Sequence, residues 1–345
     1  MKIFVSGGGG FIGSNVAEYY ARLGHDVVVL DNLSRAKLLK KDIKSLDYNI
    51  KFLQQFKNVK FILGDVAKKE DVLSASKDAD VFFHLAAQTA VTTSVTDPEP
   101  DFQSNALGTF NVMEAARKSQ KNPAVIYAST NKVYGNNPNS IGIVEKQDHY
   151  EFEQKFAKGI PESFSIDYCE HTPYGCSKLT GDLYVQDYAH VYGLKTGVFR
   201  MSCIYGTRQF GVEDQGWVAW FAIATILGKP ITIYGDGKQV RDVLFVKDLI
   251  ELYNSFLNSK LKHGVFNVGG GPENTMSLLQ LLDMLEKLTG KRSTISYSDW
   301  RPSDQKVFIA DIAKAGRELG WKPKISPKEG VKQLVDFVNA NKNLF

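Results

Sequence analysis

The chain has 345 residues, with 42 lysines and arginines against 38 acids, a formal net charge of +4 and 43% hydrophobic residues. That is apolar material for one large or two modest globular domains, and the charges are spread without a basic block, which excludes a nucleic-acid footprint while leaving room for a small anionic ligand. Cys169, Cys176 and Cys203 are odd in number and form no C-x-x-C pair, so neither a disulfide framework nor a zinc site is expected, and no metal is assigned. No run approaches the ~18 apolar residues of a membrane helix, and Lys2 leads into a strand with no signal-peptide pattern. A soluble, unprocessed, cytoplasmic protein is expected, away from any membrane.

Lys2-Ile3-Phe4-Val5-Ser6 reads as a buried strand, followed by glycines and a helical run to Leu23 that Gly24 stops. The spacing Gly7-x-x-Gly10-x-x-Gly13 lets backbone amides at a helix start approach a pyrophosphate, and Gly13 permits close packing of helix on strand. A second strand, Asp26 to Asp31, ends in an acid 18 residues after Gly13, where a dinucleotide fold places its ribose-binding carboxylate. Asp31 would repel a 2′-phosphate. NAD is therefore expected in preference to NADP, although Arg35 stands close by in the sequence.

Strand and helix keep alternating through Val59–Asp65, a helix near Lys69 to Ser76, and the apolar strand Val81–Ala87, which predicts an α/β fold with a Rossmann-type, doubly wound parallel sheet. Asp65 could meet an adenine amino group or cap a helix; the sequence leaves both open. Ala86 and Ala87, small residues at a strand end, would let a cofactor pass, whereas His84 reads as a buried structural residue. Asn105 to Val112 opens an amphipathic helix, after which Ala124–Ala128 forms a strand ending in Ser129-Thr130-Asn131-Lys132-Val133-Tyr134-Gly135. Ligands sit at such strand ends.

Tyr174 and Lys178 lie four apart in the first turns of a helix and so share a face. A phenol of pKa about 10 is a poor base at neutral pH unless a cation beside it favours the phenolate, and Lys178 is placed to be that cation. Ser129 and Thr130 could merely cap a turn; with Tyr174 on the next helix their position becomes functional. The polar insertion Asn136 to His171 is long enough to serve as a lid or partner surface and is expected to carry a short helix around Tyr150 to Ala157. Beyond the Thr196–Ser202 strand the βα rhythm breaks. Lys229–Gly237 reads as a hairpin-like element, Arg241–Val246 as a strand before a helix through Phe256, and Leu278–Leu288 and Gly330–Asn341 as helices. The expected division is residues 1–198 with 237–263 as the dinucleotide-binding domain, and 199–236 with 264–345 as a smaller α+β lobe over the sheet's ligand edge.

Together, Gly7-x-x-Gly10-x-x-Gly13, Asp31, Thr130, Tyr174-x-x-x-Lys178 and Arg241-Asp242 resemble the extended short-chain dehydrogenases that epimerise or dehydrate nucleotide sugars, over nearly the whole chain. The longer runs 129–135, 173–178 and 208–221 resemble the CDP-paratose 2-epimerase (tyvelose epimerase) branch. The resemblance implies Tyr174 as catalytic base, Lys178 as its electrostatic partner and ribose ligand, and Thr130 as the hydroxyl orienting the sugar oxygen. It implies NAD held by Gly7, Gly10, Phe11, Ile12, Gly13, Asp31, Asn32, Ser34, Arg35, Asp65, Val66, Leu85, Ala86, Ala87, Asn105, Ser129, Tyr174, Lys178 and Ser202. For a nucleotide-sugar substrate, CDP-linked, it implies Gln88, Thr130, Cys203, Arg208, Gln215, Trp217, Tyr234, Arg241 and Arg301, the last two on the diphosphate. Cys203 departs from the Asn that many relatives carry there. Relatives that eliminate water follow the catalytic Thr with Asp-Glu, whereas Asn131-Lys132 stand here, so 4,6-dehydration is not expected. A homodimer or higher homo-oligomer is implied. The alternatives are a UDP-hexose 4-epimerase, another nucleotide-sugar oxidoreductase or dehydratase, and a non-catalytic NAD-sensing protein.

Overall fold

The computed structural model describes residues 1–35, 44–301 and 304–345, without the side chains of 44–46. Short β-branched and aromatic runs, buried on both faces, build its main sheet: Ile3, Phe4 and Val5 in one strand and Val27 through Leu30 in the next are buried throughout. Seven strands lie in the order His263–Val268, Thr196–Met201, Ala124–Thr130, Val81–His84, Lys2–Ser6, Asp26–Asp31, Val59–Leu63. The pairings from Ala124–Thr130 across to Val59–Leu63 are parallel. Strand order reverses between Lys2–Ser6 and Val81–His84, the switch point at which such sheets bind ligands.

The chain divides into two compact units, Met1–Thr130 with Thr172–Arg200 and Tyr253–Phe266, and Asn131–His171 with Met201–Leu252 and Asn267–Phe345. In the first, helices Phe11–Arg22, Gly108–Lys118 and Thr172–Tyr192 accompany the sheet, and Phe4 meets Phe82 edge-on at 5.2 Å. The amphipathic run expected from Asn105 begins as π-helix, Phe102–Leu107, before turning α-helical at Gly108.

The second unit is built around Val240–Phe245, which pairs parallel with Cys203–Tyr205 and Val307–Phe308 and antiparallel with Thr275–Ser277. Its helix Trp217–Leu227 carries almost only apolar residues because it is packed on several sides, against Leu281, Leu285, Leu334 and Val338 among others. Three expectations change here. Ile231–Tyr234 forms no hairpin; it pairs parallel with Ile295–Ser298, because Gly235 and Gly237, both at positive φ, turn the chain away. The helix expected around Tyr150 is a strand, Tyr150–Phe152, paired with Ile143–Glu145, followed by the 3₁₀ turn Gln154–Phe156; Tyr150 and Phe152 are buried while Glu151 is exposed, a period of two. The division also differs from the expected one, since 131–171 and 237–252 belong to the second unit. Tyr150 bonds Lys238 and Asp236, Ser277 bonds the Asp148 carbonyl, and Tyr134 bonds Asn267.

Candidate active site

The glycine loop follows the first strand at the switch point. Gly7 lies at φ +72, and a Cβ there would stand 2.6 Å from the Ala86 nitrogen; at Gly13 it would stand 2.2 Å from the Gly7 oxygen. Neither position tolerates a side chain, whereas at Gly10 the nearest atom would be 3.2 Å away. Asp31 anchors the loop, accepting from the Gly9 amide at 2.9 Å and the Leu33 amide at 2.8 Å. Burial raises its pKa, the two amides oppose that, and the charge of Asp65 adds to it. Asn49, absent from the sequence reading, donates to the Gly9 and Gly10 carbonyls at 3.2 and 3.4 Å. Its signal was a buried polar residue on the face that carries Ile50 and Leu53. Glycines that exclude side chains, amides at a helix start and a carboxylate at the second strand's end fit a dinucleotide without a 2′-phosphate.

Around this cradle, Asp65 accepts from Ala67 N and from the Asn32 amide, both at 2.9 Å, so it works as a turn cap joining two strand ends. Ser34 N donates to Asn32 Oδ1 at 2.9 Å, and burial lowers the Arg35 pKa. The Val66 carbonyl accepts from Asn111, and the Leu85 and Ala86 amides point at Ser6 Oγ. His84 is structural, as its sequence position suggests. Its ring bonds Ser6 Oγ at 2.7 Å and Thr109 Oγ1 at 2.9 Å, and burial with the nearby Lys178 holds its pKa down at about 3, so it stays neutral.

The helix Thr172–Tyr192 starts with Thr172 at φ +62 and Pro173. Its buried face carries Tyr174, Ser177, Lys178, Gly181 and Asp182. Gly181 is required because a Cβ would lie 2.3 Å from the Tyr127 hydroxyl, which donates to the Lys178 carbonyl at 3.2 Å. Asp182 pins the helix to the sheet, taking Arg200 through Nε and Nη2, both at 3.0 Å, and Ser129 Oγ at 2.6 Å. Ser129 is thereby a structural anchor for the residue beside it, Thr130, whose hydroxyl bonds the Tyr174 phenol.

Lys178 Nζ stands 4.3 Å over the Tyr127 ring. Burial lowers its pKa to about 7 against the pull of Asp182. Burial also pushes Tyr174 up to about 12, opposed by Thr130 and reinforced by Asp101. Lys178, expected to favour the phenolate, is not among the groups that act on Tyr174, and desolvation sets the direction of its shift. Gln88 and Asn105, expected on substrate and cofactor, hold each other: Gln88 N donates to Asn105 Oδ1 at 2.9 Å, and Asn105 Nδ2 donates to the Gln88 carbonyl at 3.0 Å.

In the second unit, Arg301 lies 4.0 Å over the Tyr234 ring, pairs with Asp214 at 2.9 Å and donates to the Glu213 carbonyl at 3.2 Å. Arg241 pairs with Asp304 at 2.8 Å, and both act on Lys132, half-buried, whose pKa desolvation lowers to about 8. Cys203 bonds Trp217, and burial raises its thiol to about 12, out of reach as a nucleophile. Arg208 is buried at φ +64; Gln215 exchanges backbone bonds with Val212, and Ser202 N donates to Val268 O. Asp214 and Asp304, the acids that hold the arginines, escaped the sequence reading because each pairs with an arginine from a distant segment.

Residues 3–269 match the NAD dependent epimerase/dehydratase family. The chain is 41% identical to a Salmonella typhi CDP-paratose 2-epimerase, over 99% of this chain and 100% of that protein, and 31% identical to a putative UDP-glucose 4-epimerase of Methanocaldococcus jannaschii, over 98% and 99%. Among solved structures, a UDP-glucose 4-epimerase from Thermotoga maritima with UDP-glucose superposes with a TM-score of 0.81 at 30% identity, over 99% and 100% of the two chains. A Thermus thermophilus UDP-glucose 4-epimerase in complex with NAD gives 0.78 at 30% identity, with the same coverage.

Proposed function

The chain belongs to the NAD dependent epimerase/dehydratase family, and from that premise we propose that it is a nucleotide-sugar 2-epimerase, inverting carbon 2 of a CDP-linked hexose such as paratose. The observation that carries this reading is the 41% full-length identity to a carbon-2 epimerase, against 31% for a putative 4-epimerase. The catalytic trio alone cannot choose the carbon, because whichever carbon faces the Tyr174 oxygen is the one oxidised.

Bound NAD⁺ would supply the hydride acceptor, the later hydride donor and a positive charge. Gly7, Gly10, Gly13 and Asp31 would hold it, with Lys178 on its ribose. Tyr174, as phenolate, takes the proton from the carbon-2 hydroxyl, and Thr130, bonded to the same phenol, orients that oxygen. Tyr174, then holding the proton, would return it to the carbon-2 oxygen once the 2-keto sugar has turned its other face. Elimination of water has no acid–base pair at positions 131 and 132, where Asn131 donates to Gln305 at 3.2 Å and Lys132 carries no carboxylate. Substrate deuterated at carbon 2 should show a primary isotope effect and form transient labelled NADH, and label at carbon 4 should be silent. A response from the carbon-4 label, or a 4-keto-6-deoxy product, overturns the reading.

The assembly we assign is a homodimer in the cytosol. Phe110, Leu183 and Tyr184 are 38, 50 and 41% exposed in the first unit, with the rings of Phe110 and Tyr184 5.9 Å apart, an apolar face suited to a second copy. Leu183→Glu should halve the mass seen by light scattering. None of the three cysteines forms a disulfide, which suits a reducing compartment, and no helix among the described residues is long and apolar enough to cross a membrane.

A further inference from the structure

One buried carboxylate beside the catalytic helix has no part in the chemistry above. Asp101 closes the helical turn Glu99–Asp101, where the chain passes into the π-helix Phe102–Leu107, and its side chain is fully buried. Its Oδ2 accepts from Gln88 Nε2 at 2.9 Å, and its Oδ1 lies 3.5 Å from Asn105 Nδ2. Asn105 Nδ2 also donates to Ser177 Oγ at 2.9 Å, and Ser177 Oγ donates to the Tyr174 carbonyl at 2.9 Å. The two N–H groups of Asn105 Nδ2 serve the Gln88 carbonyl and Ser177 Oγ, so the hydrogen-bonded chain from the carboxylate to the backbone of the catalytic tyrosine runs through Gln88, Asn105 and Ser177. The π-helical turn, a geometry recurrent at functional sites, carries the asparagine at its centre. On the Asp101 side the same network fixes the 88–90 loop, because the Gln88 amide also donates to the Ala90 carbonyl at 3.0 Å and accepts from Ala90 N.

We propose that Asp101 is a positioning residue for the reaction: through Gln88, Asn105 and Ser177 it fixes the turn that carries Tyr174, and its negative charge opposes the charge of the phenolate. The ionisable group that acts on it is Asp97, exposed four residues earlier, and Asp101 in turn acts on Tyr174 on the packed helix; Lys178, on that same helix, answers to Asp182 and acts on His84. Burial and Asp97 raise the Asp101 pKa to about 6, against the Gln88 bond, so the carboxylate is charged at neutral pH. Asp101 thereby keeps the proton on Tyr174 in the resting protein. It makes the phenolate, once formed, a stronger base, and it favours return of the proton to the sugar oxygen at the end of each cycle.

The inference rests on the reading of Tyr174 as base, and the test separates the two. The readout is the acid limb of the kcat–pH profile, the deprotonation of Tyr174 in the substrate complex. Asp101→Asn keeps an acceptor for Gln88 and removes the charge, so the limb should move to lower pH by roughly half a unit or more. Asp101→Glu should keep it near its original place. Asp101→Ser, smaller and still an acceptor, should shift it in the same direction and stands in should the asparagine variant fail to fold. A rate lowered equally at every pH with an unmoved limb, or an unchanged profile, overturns the inference about Asp101. Tyr174→Phe with near-normal turnover overturns the base assignment instead.

Discussion

The two units hold their candidate ligand-binding groups in opposite ways. In the first, the cradle is backbone: glycines whose neighbours exclude a Cβ, amides gathered on Asp31, and a helix fixed by one bidentate ion pair. In the second, the candidate anion-binding groups are arginines already paired with acids, Arg301 with Asp214 and Arg241 with Asp304. A backbone cradle needs no rearrangement to receive a diphosphate, whereas a paired guanidinium must exchange one anion for another. The first unit should therefore fail abruptly when altered, and the second by degrees.

The largest effect is expected at Tyr174. Tyr174→Phe removes the atom that carries the proton while keeping the ring, and kcat should fall by about 10²–10⁴-fold, as for a general base, with NAD retained. Measuring bound cofactor and turnover on the same preparation checks both halves. Next comes Asp242 in the second unit, whose buried carboxylate accepts from the Gly271 amide at 3.1 Å. Its pKa is raised from 3.8 to about 6, chiefly by burial. The folded protein then holds this proton more tightly than the unfolded chain, so the residue's contribution to stability declines as pH rises from about 4 to about 6 and is level above. The difference between the limits is about 3 kcal/mol. Asp242→Asn should gain on the parent by that amount across the same window in urea titrations, whatever the constant offset from its altered bonds. A parallel pH dependence in both proteins would show that the carboxylate is not desolvated.

A smaller change tests the paired arginines directly. Arg301→Ala should raise KM about tenfold with kcat within about twofold, since it removes a charged contact made equally by substrate and transition state. Asp214→Asn, which releases Arg301 from its partner, should lower KM instead. If both variants raise KM, the pair is one structural unit and the contrast between the units is weaker than drawn.

The same contrast accounts for what could be read from the chain. Gly7, Gly10, Gly13 and Asp31, and again Tyr174 and Lys178, work through local spacing on a strand–turn–helix or a single helix face, and local spacing is written in sequence. The parallel sheet was legible for the same reason, as buried strands alternating with amphipathic helices. Ile231–Tyr234 misled because a glycine-rich turn after a strand signals a hairpin, while its real partner lies some sixty residues on, at Ile295–Ser298. Gln88 and Asn105 were read singly, yet each answers the other's hydrogen bonds across seventeen residues. The rise of Tyr174 to about 12 was invisible too, because spacing places a lysine near a phenol but says nothing of how much water both have lost.

The smallest expected effect concerns which dinucleotide the first unit prefers. Asp31 already accepts two backbone amides, from Gly9 and Leu33, so it does two things at once: it braces the glycine loop and presents negative charge where a 2′-phosphate would sit. Asp31→Ala removes both and should weaken NAD by about tenfold, the scale of one charged hydrogen bond. Asp31→Asn separates them in the main, because its single amide oxygen can still accept from Gly9 while the charge is gone and only the Leu33 amide loses its acceptor. Calorimetric titration of the three proteins with NAD and NADP should then give a preference for NAD in the parent, little preference in the asparagine variant, and weak binding of both in the alanine variant. Equal affinity of the parent for the two cofactors would mean that the Asp31 charge does not set the preference, and the role given to it here would fail.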